Sequence, residues 1–182
     1  MAGAGSCQLD ATQMDEALRR MAREIASRIP PEEPFVLLGI RTRGLPLAER
    51  LGLALMEAEQ RIAPVGALDI TLYRDDLTEK AGAPIVRPTE IPFSLLHKTV
   101  VLVDDVLYTG RTIRSALDAL LDHGRPHKVL LAVLVDRGGR ELPIQADFAG
   151  AALTVPSGHR ITVRLTEIDG DDGVYLEAES GS

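Results

Sequence analysis

The sequence predicts an α/β fold: a central, mostly parallel sheet flanked by helices. Three observations carry this. Apolar runs of strand length recur at Phe35 to Ile40, Val100 to Val103 and Lys128 to Val135, as expected of strands covered on both faces. Each ends in a short polar loop containing glycine. After the first two loops, apolar residues recur at helical spacing: Leu47, Leu51, Ala54 and Leu55, then Ile113, Ala116, Leu117, Leu120 and Leu121.

The remaining elements follow in chain order. Residues 1–9 read as a loose arm. Met14, Leu18, Met21, Ala22, Ile25 and Ile29 mark one face of a helix over 11–29, with Asp10 or Thr12 to cap it and Pro30-Pro31 to end it. Its outer face carries Arg19, Arg20, Arg23 and Arg28 beside Glu16 and Glu24, the ordinary make-up of a solvated face. Residues 65–72 read as a further strand. Residues 73–95 show no period and contain Pro84, Pro88 and Pro92; a structureless stretch beyond about 12–15 residues is usually functional, so a lid is expected. Gly124 stops the helix before the strand at 128–135. The alternation over 160–168, the turn Asp169-Gly170-Asp171-Asp172-Gly173 and Val174-Tyr175-Leu176 predict a C-terminal hairpin at the sheet edge.

With 182 residues and 45% hydrophobic content, the chain has the size and composition of one globular domain. No apolar run approaches the roughly 20 residues that span a bilayer, and the first ten residues do not resemble a signal peptide. The lone Cys7 offers neither a disulfide nor a zinc site, and a cytoplasmic protein is expected. A net charge of −7 and the absence of tryptophan argue against bulk electrostatic or base-stacking recognition of nucleic acid, leaving only a local basic face.

The chemistry concentrates in Val100 to Thr112. An apolar strand runs into Asp104 and Asp105, then Val106, Leu107, Tyr108, Thr109, Gly110, Arg111 and Thr112, then a helix. A loop feeding a helix N-terminus offers free backbone N–H groups to an anion, and the two hydroxyls add donors. The acids repel a phosphate but suit sugar hydroxyls or a positive charge developing on a ribose. This is a ribose-phosphate site. The loop after the Phe35 strand has the same design with opposite charge, Arg41-Thr42-Arg43-Gly44.

The central segment resembles the 5-phosphoribosyl-1-pyrophosphate (PRPP) signature of the type I phosphoribosyltransferases, and Thr42-Arg43-Gly44 resembles their pyrophosphate loop. Asp69 to Leu77, Val106 to Thr112, Leu131 to Gly138 and Glu141 to Ile144 extend the likeness from about Leu9 to Asp169. They make the chain similar to the PyrR family, attenuation regulators of bacterial pyrimidine operons that also act as uracil phosphoribosyltransferases. The resemblance implies the type I phosphoribosyltransferase fold and the reaction of uracil with PRPP to UMP and pyrophosphate, Mg²⁺ riding on the PRPP rather than on a protein site. It implies Arg43, Tyr73, Arg74, Asp104 and Asp105 as catalytic residues. It places nucleotide at Thr42 to Gly44 and at Asp104 to Thr112, and the base against Val135 and Arg137. It also implies a homo-oligomer and uridine-nucleotide-dependent binding of the operon's mRNA leader, for which Arg19, Arg23 and Arg41 are the available cations.

Departures keep alternatives open. Gly139 stands where a histidine is common, Gln145 where an arginine is, and Ala151 where a lysine is usual, so an enzyme that has lost RNA binding is one alternative. A purine or orotate enzyme on the same fold is another. Purine-specific relatives carry an aspartate where this chain has Tyr108, and uracil loses its N1 proton without such help.

Overall fold

The computed structural model describes residues 5–75 and 85–179. Its centre is a five-stranded parallel sheet of β2 (Phe35–Ile40), β3 (Val65–Leu68), β4 (Thr99–Leu107), β5 (Lys128–Asp136) and β6 (Phe148–Ala152), in the order β3-β2-β4-β5-β6. The period of two along the strands sorts the core into two layers. Leu37, Val101 and Val103 pack with α1 (Ala11–Arg28) and α2 (Gly44–Glu59). Val36, Leu38, Val100 and Leu102 pack with α3 (Arg111–His123) on the other side. Both faces are therefore buried, which is why these strands read as unbroken apolar runs. α1 begins at a capping box in which Asp10 accepts from the Gln13 amide at 2.9 Å.

The chain leaves β2 toward β3 on one side, then returns to place β4 on the other. The strand order reverses between β2 and β4, and ligands of open α/β sheets bind outside the strand ends at such a reversal. The loops carrying Arg41 to Gly44 and Tyr108 to Thr112 flank that point.

Three expectations need correction. The arm over residues 1–9 is not loose where it is described, because β1 (Ser6–Leu9) pairs antiparallel with β8 (Gly173–Ala178); residues 1–4 lie outside the described residues. The C-terminal hairpin is not at the edge of the parallel sheet. β7 (His159–Arg164), β8 and β1 form a separate antiparallel sheet, a hood, with the short helix α4 (Thr166–Asp169) in the hairpin's connection. The edge is instead β6, too short and too rich in alanine and glycine to stand out in sequence. Third, β3 stops at Leu68, where the Asp69 carboxylate accepts from the Thr71 amide (2.8 Å) and hydroxyl (2.6 Å) and turns the chain into a 3-10 helix, Thr71–Tyr73. Of the expected lid over 73–95, residues 76–84 lie outside the described residues. Residues 87–90 are tied down, and Glu90 and Ala67 exchange backbone hydrogen bonds of 2.8 Å.

Candidate active site

β4 delivers Asp104 and Asp105 to its carboxyl end, and the strand's own pleat separates their environments. Asp104 is 6% exposed; its carboxylate accepts the Asp105 amide at 2.9 Å, and that of Asp105 accepts the Val106 amide at 2.9 Å. Burial pushes the Asp104 carboxyl well up, the charge of Asp105 pushes the same way, and Arg74 pulls back. Burial also raises Asp105, against hydrogen bonds from Asp104 and the Val106 amide and the nearby charge of Arg43. Two adjacent carboxyls short of solvent favour positive charge near them.

The loop after them closes around an anion-sized space. Gly110 has φ +93°, and a Cβ there would meet Ile144 at 3.3 Å. The Thr109 carbonyl accepts the amides of Glu141 (2.9 Å) and Leu142 (3.1 Å), which fixes the loop to the segment after β5. Thr109, Arg111, Thr112, Ser115, Arg74 and Asp75 line a pocket of about 180 Å³ into which the N-terminus of α3 opens. The Arg111 side chain holds Glu141 at 2.7 Å and Asp75 at 3.0 Å. A larger hollow of about 460 Å³ lies at the opposite end of the sheet. Its Arg61 is spent on the carbonyls of Ala26, Ile29 and Pro30 and on the Phe35 ring, so it offers an anion little.

Across the reversal lies Arg41-Thr42-Arg43-Gly44, with a cis Arg41–Thr42 peptide. Gly44 lets this loop lie against β4: a Cβ there would be 2.3 Å from the Val103 carbonyl oxygen. The expected fork of Arg43 toward a phosphate is not what the structure holds. Arg43 Nε donates to the Val163 carbonyl (2.8 Å) and Nη2 to both oxygens of Asp169 (2.9 and 3.2 Å), pinning the loop to the hood. Arg50 does the same one helical turn and more along, bridging Glu167 and Asp172. Tyr73 also departs from expectation: its hydroxyl donates to Asp122 Oδ2 at 2.6 Å, in the last turn of α3 rather than at the first. Arg74 lines that 180 Å³ pocket and acts on Asp104.

At the β5 end, Val135 is enclosed in the core with 0% exposure, so its side chain offers nothing to a base. Arg137 lies with its guanidinium 3.9 Å from the centre of the Tyr108 ring. Its amide donates to the Leu107 carbonyl (3.0 Å), Nη2 reaches the His159 carbonyl (3.4 Å), and its buried Nε has no hydrogen-bond partner among the described residues. Gly139, at φ +76°, passes so close that a Cβ would be 2.5 Å from Tyr108 Cε2. Arg140, which the sequence reading did not single out, braces this corner through the Tyr108 and Ile144 carbonyls and Asp136.

The three arginines expected to face RNA do not share a surface role. Arg41 is 17% exposed on its side chain and bound to the Pro88 carbonyl (3.0 Å) and Glu90 (3.2 Å), at the root of the loop. Arg19 is paired with Asp15 (2.8 Å) and Glu57 (3.3 Å). Arg23 lines two shallow hollows on α1 with Arg20. Other residues that matter here are tied to the site by contacts distant in sequence: the Arg87 amide reaches Asp69 across 18 positions, the Arg87 side chain reaches Thr42 across 45, and Asp169 reaches Arg43 across 126.

The phosphoribosyl transferase domain family matches residues 8–155. The bifunctional protein PyrR of Pelotomaculum thermopropionicum is 55% identical over 168 residues, 92% of this chain and 93% of that one. That of Thermus aquaticus is 53% identical over 174 residues, 96% of each. Among solved structures, the hypoxanthine phosphoribosyltransferase of Trypanosoma cruzi superposes with a TM-score of 0.72 at 17% identity, covering 97% of this chain and 98% of that one. A Leishmania tarentolae HGPRT-ase in complex with GMP gives 0.72 at 14% identity with the same coverage. These last two speak for the fold. Among the described residues no helix is long and apolar enough to cross a membrane. With a parallel sheet reversed between an arginine loop and a twin-acid strand end, and relatives matched over nearly their whole length, the chain belongs to the bifunctional PyrR family of phosphoribosyltransferases.

Proposed function

We propose that the chain transfers the phosphoribosyl group of PRPP to uracil, releasing pyrophosphate, and that with a uridine nucleotide bound it also regulates a pyrimidine operon through the mRNA leader. The observation that carries the first part is the placing of two adjacent carboxyls, Asp104 buried and Asp105 half-buried, beside a pocket at a helix N-terminus. The 5-phosphate sits in the pocket on the backbone amides and hydroxyls of Thr109 to Thr112. A few charge-assisted hydrogen bonds of about 1.5–3 kcal/mol each supply most of the roughly 8 kcal/mol of micromolar binding.

The ribose lies over Asp104 and Asp105. As the bond to pyrophosphate lengthens, positive charge grows on the ring, and the two carboxylates stabilise it in a site where water is scarce. Their raised pKa values in the free protein fit that role, since a cation above them favours ionisation. Mg²⁺ would enter with PRPP and would supply positive charge to the departing pyrophosphate. Among the described residues no group of three or more His, Cys, Asp or Glu is arranged to hold a metal. Arg137 and Tyr108 form the wall for the base, and the buried Nε–H of Arg137, without a partner among the described residues, suits a carbonyl of a pyrimidine. Tyr108 there leaves no carboxylate to act on a purine ring.

Assayed in parallel with uracil, orotate, hypoxanthine and guanine, the protein should turn over uracil alone; a preference for any other base overturns this reading. For the regulatory part, Arg20, Arg23 and Arg28 share one hollow on α1 with Glu24 and Asp147, which pair with Arg20 and Arg28. Leader affinity should fall steeply with salt and rise with UMP. Assembly into a homo-oligomer belongs to the same reading.

A further inference from the structure

The pyrophosphate of PRPP calls for a cation on the protein, yet three arginines at this rim already hold carboxylates. Arg43 holds Asp169, Arg41 holds Glu90, and Arg111 holds Asp75 and Glu141. Arg87 differs. Its Nη1 donates to Thr42 Oγ1 of the arginine loop at 3.0 Å, and among the described residues no carboxylate lies within ion-pair distance of its guanidinium.

Its position is built rather than incidental. The Asp69 carboxylate accepts the Arg87 amide. The Asp69 amide donates to Thr89 Oγ1 at 3.0 Å, Arg41 Nε holds the Pro88 carbonyl at 3.0 Å, and Glu90 pairs with Ala67 of β3. Burial pushes the Asp69 carboxyl up, but hydrogen bonds from Thr71 and the Arg87 amide, with the charge of Arg41, outweigh it and keep it below its ordinary range. Asp69 is thus a charged peg that fixes residues 87–90 at the end of β3 and lays the Arg87 side chain over Thr42. A guanidinium held at its base, without a carboxylate partner among the described residues and facing the arginine loop has the geometry for bidentate phosphate contact.

We propose that Arg87 is the side chain that binds the pyrophosphate of PRPP, with Asp69 as its positioning residue and Arg43 serving to anchor the loop to the hood. This rests on the phosphoribosyl-transfer reading above. The test is calorimetric titration of magnesium pyrophosphate and, separately, UMP into the wild type, Arg87→Ala, Arg87→Lys and Asp69→Asn, with KM for PRPP and kcat measured on uracil. Arg87→Ala should weaken pyrophosphate and raise the KM for PRPP about 10- to 100-fold, the loss of one or two charge-assisted contacts. UMP, which has no pyrophosphate, should bind within about twofold of wild type. Lysine should recover part of the loss, and Asp69→Asn should lose less than Arg87→Ala. Unchanged pyrophosphate affinity in Arg87→Ala overturns the proposal, as does an equal loss for UMP, which marks a merely structural role. A wild type that binds pyrophosphate through Arg87 but ignores uracil upholds the proposal and defeats the uracil reading instead.

Discussion

Replacing Asp104 with asparagine should make the ligand-free protein more stable while removing most of its activity. Asp104 is 6% exposed and its carboxyl is pushed well up, first by burial and then by Asp105. Holding it ionised therefore costs folding free energy at every pH above its raised pKa. Asparagine keeps an acceptor for the Asp105 amide, now 2.9 Å from Oδ1, and adds a donor beside the Asp105 carboxylate. Removing the buried charge should stabilise by about 1–2 kcal/mol, a rise in Tm of about 2–8 °C for a chain of this size. The pH dependence has a definite sign. A carboxyl raised on folding binds more protons in the folded state, so the wild type regains stability as pH falls from its raised pKa toward the unfolded value of about 4. The advantage of Asp104→Asn is full at alkaline pH and fades on acidification. Thermal unfolding across that range, paired with uracil turnover, reads both effects; turnover should drop about 100- to 1000-fold, as for loss of a preorganised charge. A lower Tm in the variant at alkaline pH, or a shift independent of pH, refutes the reasoning.

Gly139→Ala would set a Cβ 2.5 Å from the Tyr108 ring, so the KM for uracil should rise about tenfold with that for PRPP unchanged; equal changes in both would count against the base wall. Gly44→Ala would drive the arginine loop off the Val103 carbonyl, 2.3 Å from the added carbon. Displacement on this scale should cost about 100-fold in kcat/KM, read by steady-state kinetics alongside circular dichroism to check folding. In a double-mutant cycle of Arg43→Ala and Asp169→Ala, urea unfolding should show a coupling of about 1 kcal/mol, since the pair joins the loop to the hood; additive losses would mean that the contact carries no stability.

The readable parts of this molecule were those whose meaning is local. Asp104, Asp105 and the run to Thr112 adjoin in sequence, so strand, acids, glycine and helix start declared the pocket together. The parallel strands β2, β4 and β5 were legible because burial on both faces leaves an unbroken apolar run. β1 was not: Ser6 to Leu9 is short and half polar, and only its pairing with Leu176, Tyr175 and Val174 makes it a strand. Arg43 illustrates the same limit within the site. Its residue type pointed to phosphate, but its partner, Asp169, is 126 positions away and comes within reach only when the hood folds over α2. Arg87 was hidden for the converse reason, since a stretch of prolines without period gives no hint that Asp69 will hold it against Thr42.

Nucleotide should bind astride the strand reversal, where the structure of the protein crystallised with UMP would reveal it. The phosphate oxygens should lie about 3 Å from backbone amides of residues 109–112, with the ribose hydroxyls on Asp104 and Asp105 and the uracil edge toward Arg137. UMP bound at any other surface, or with its phosphate on the arginine loop, would contradict the account.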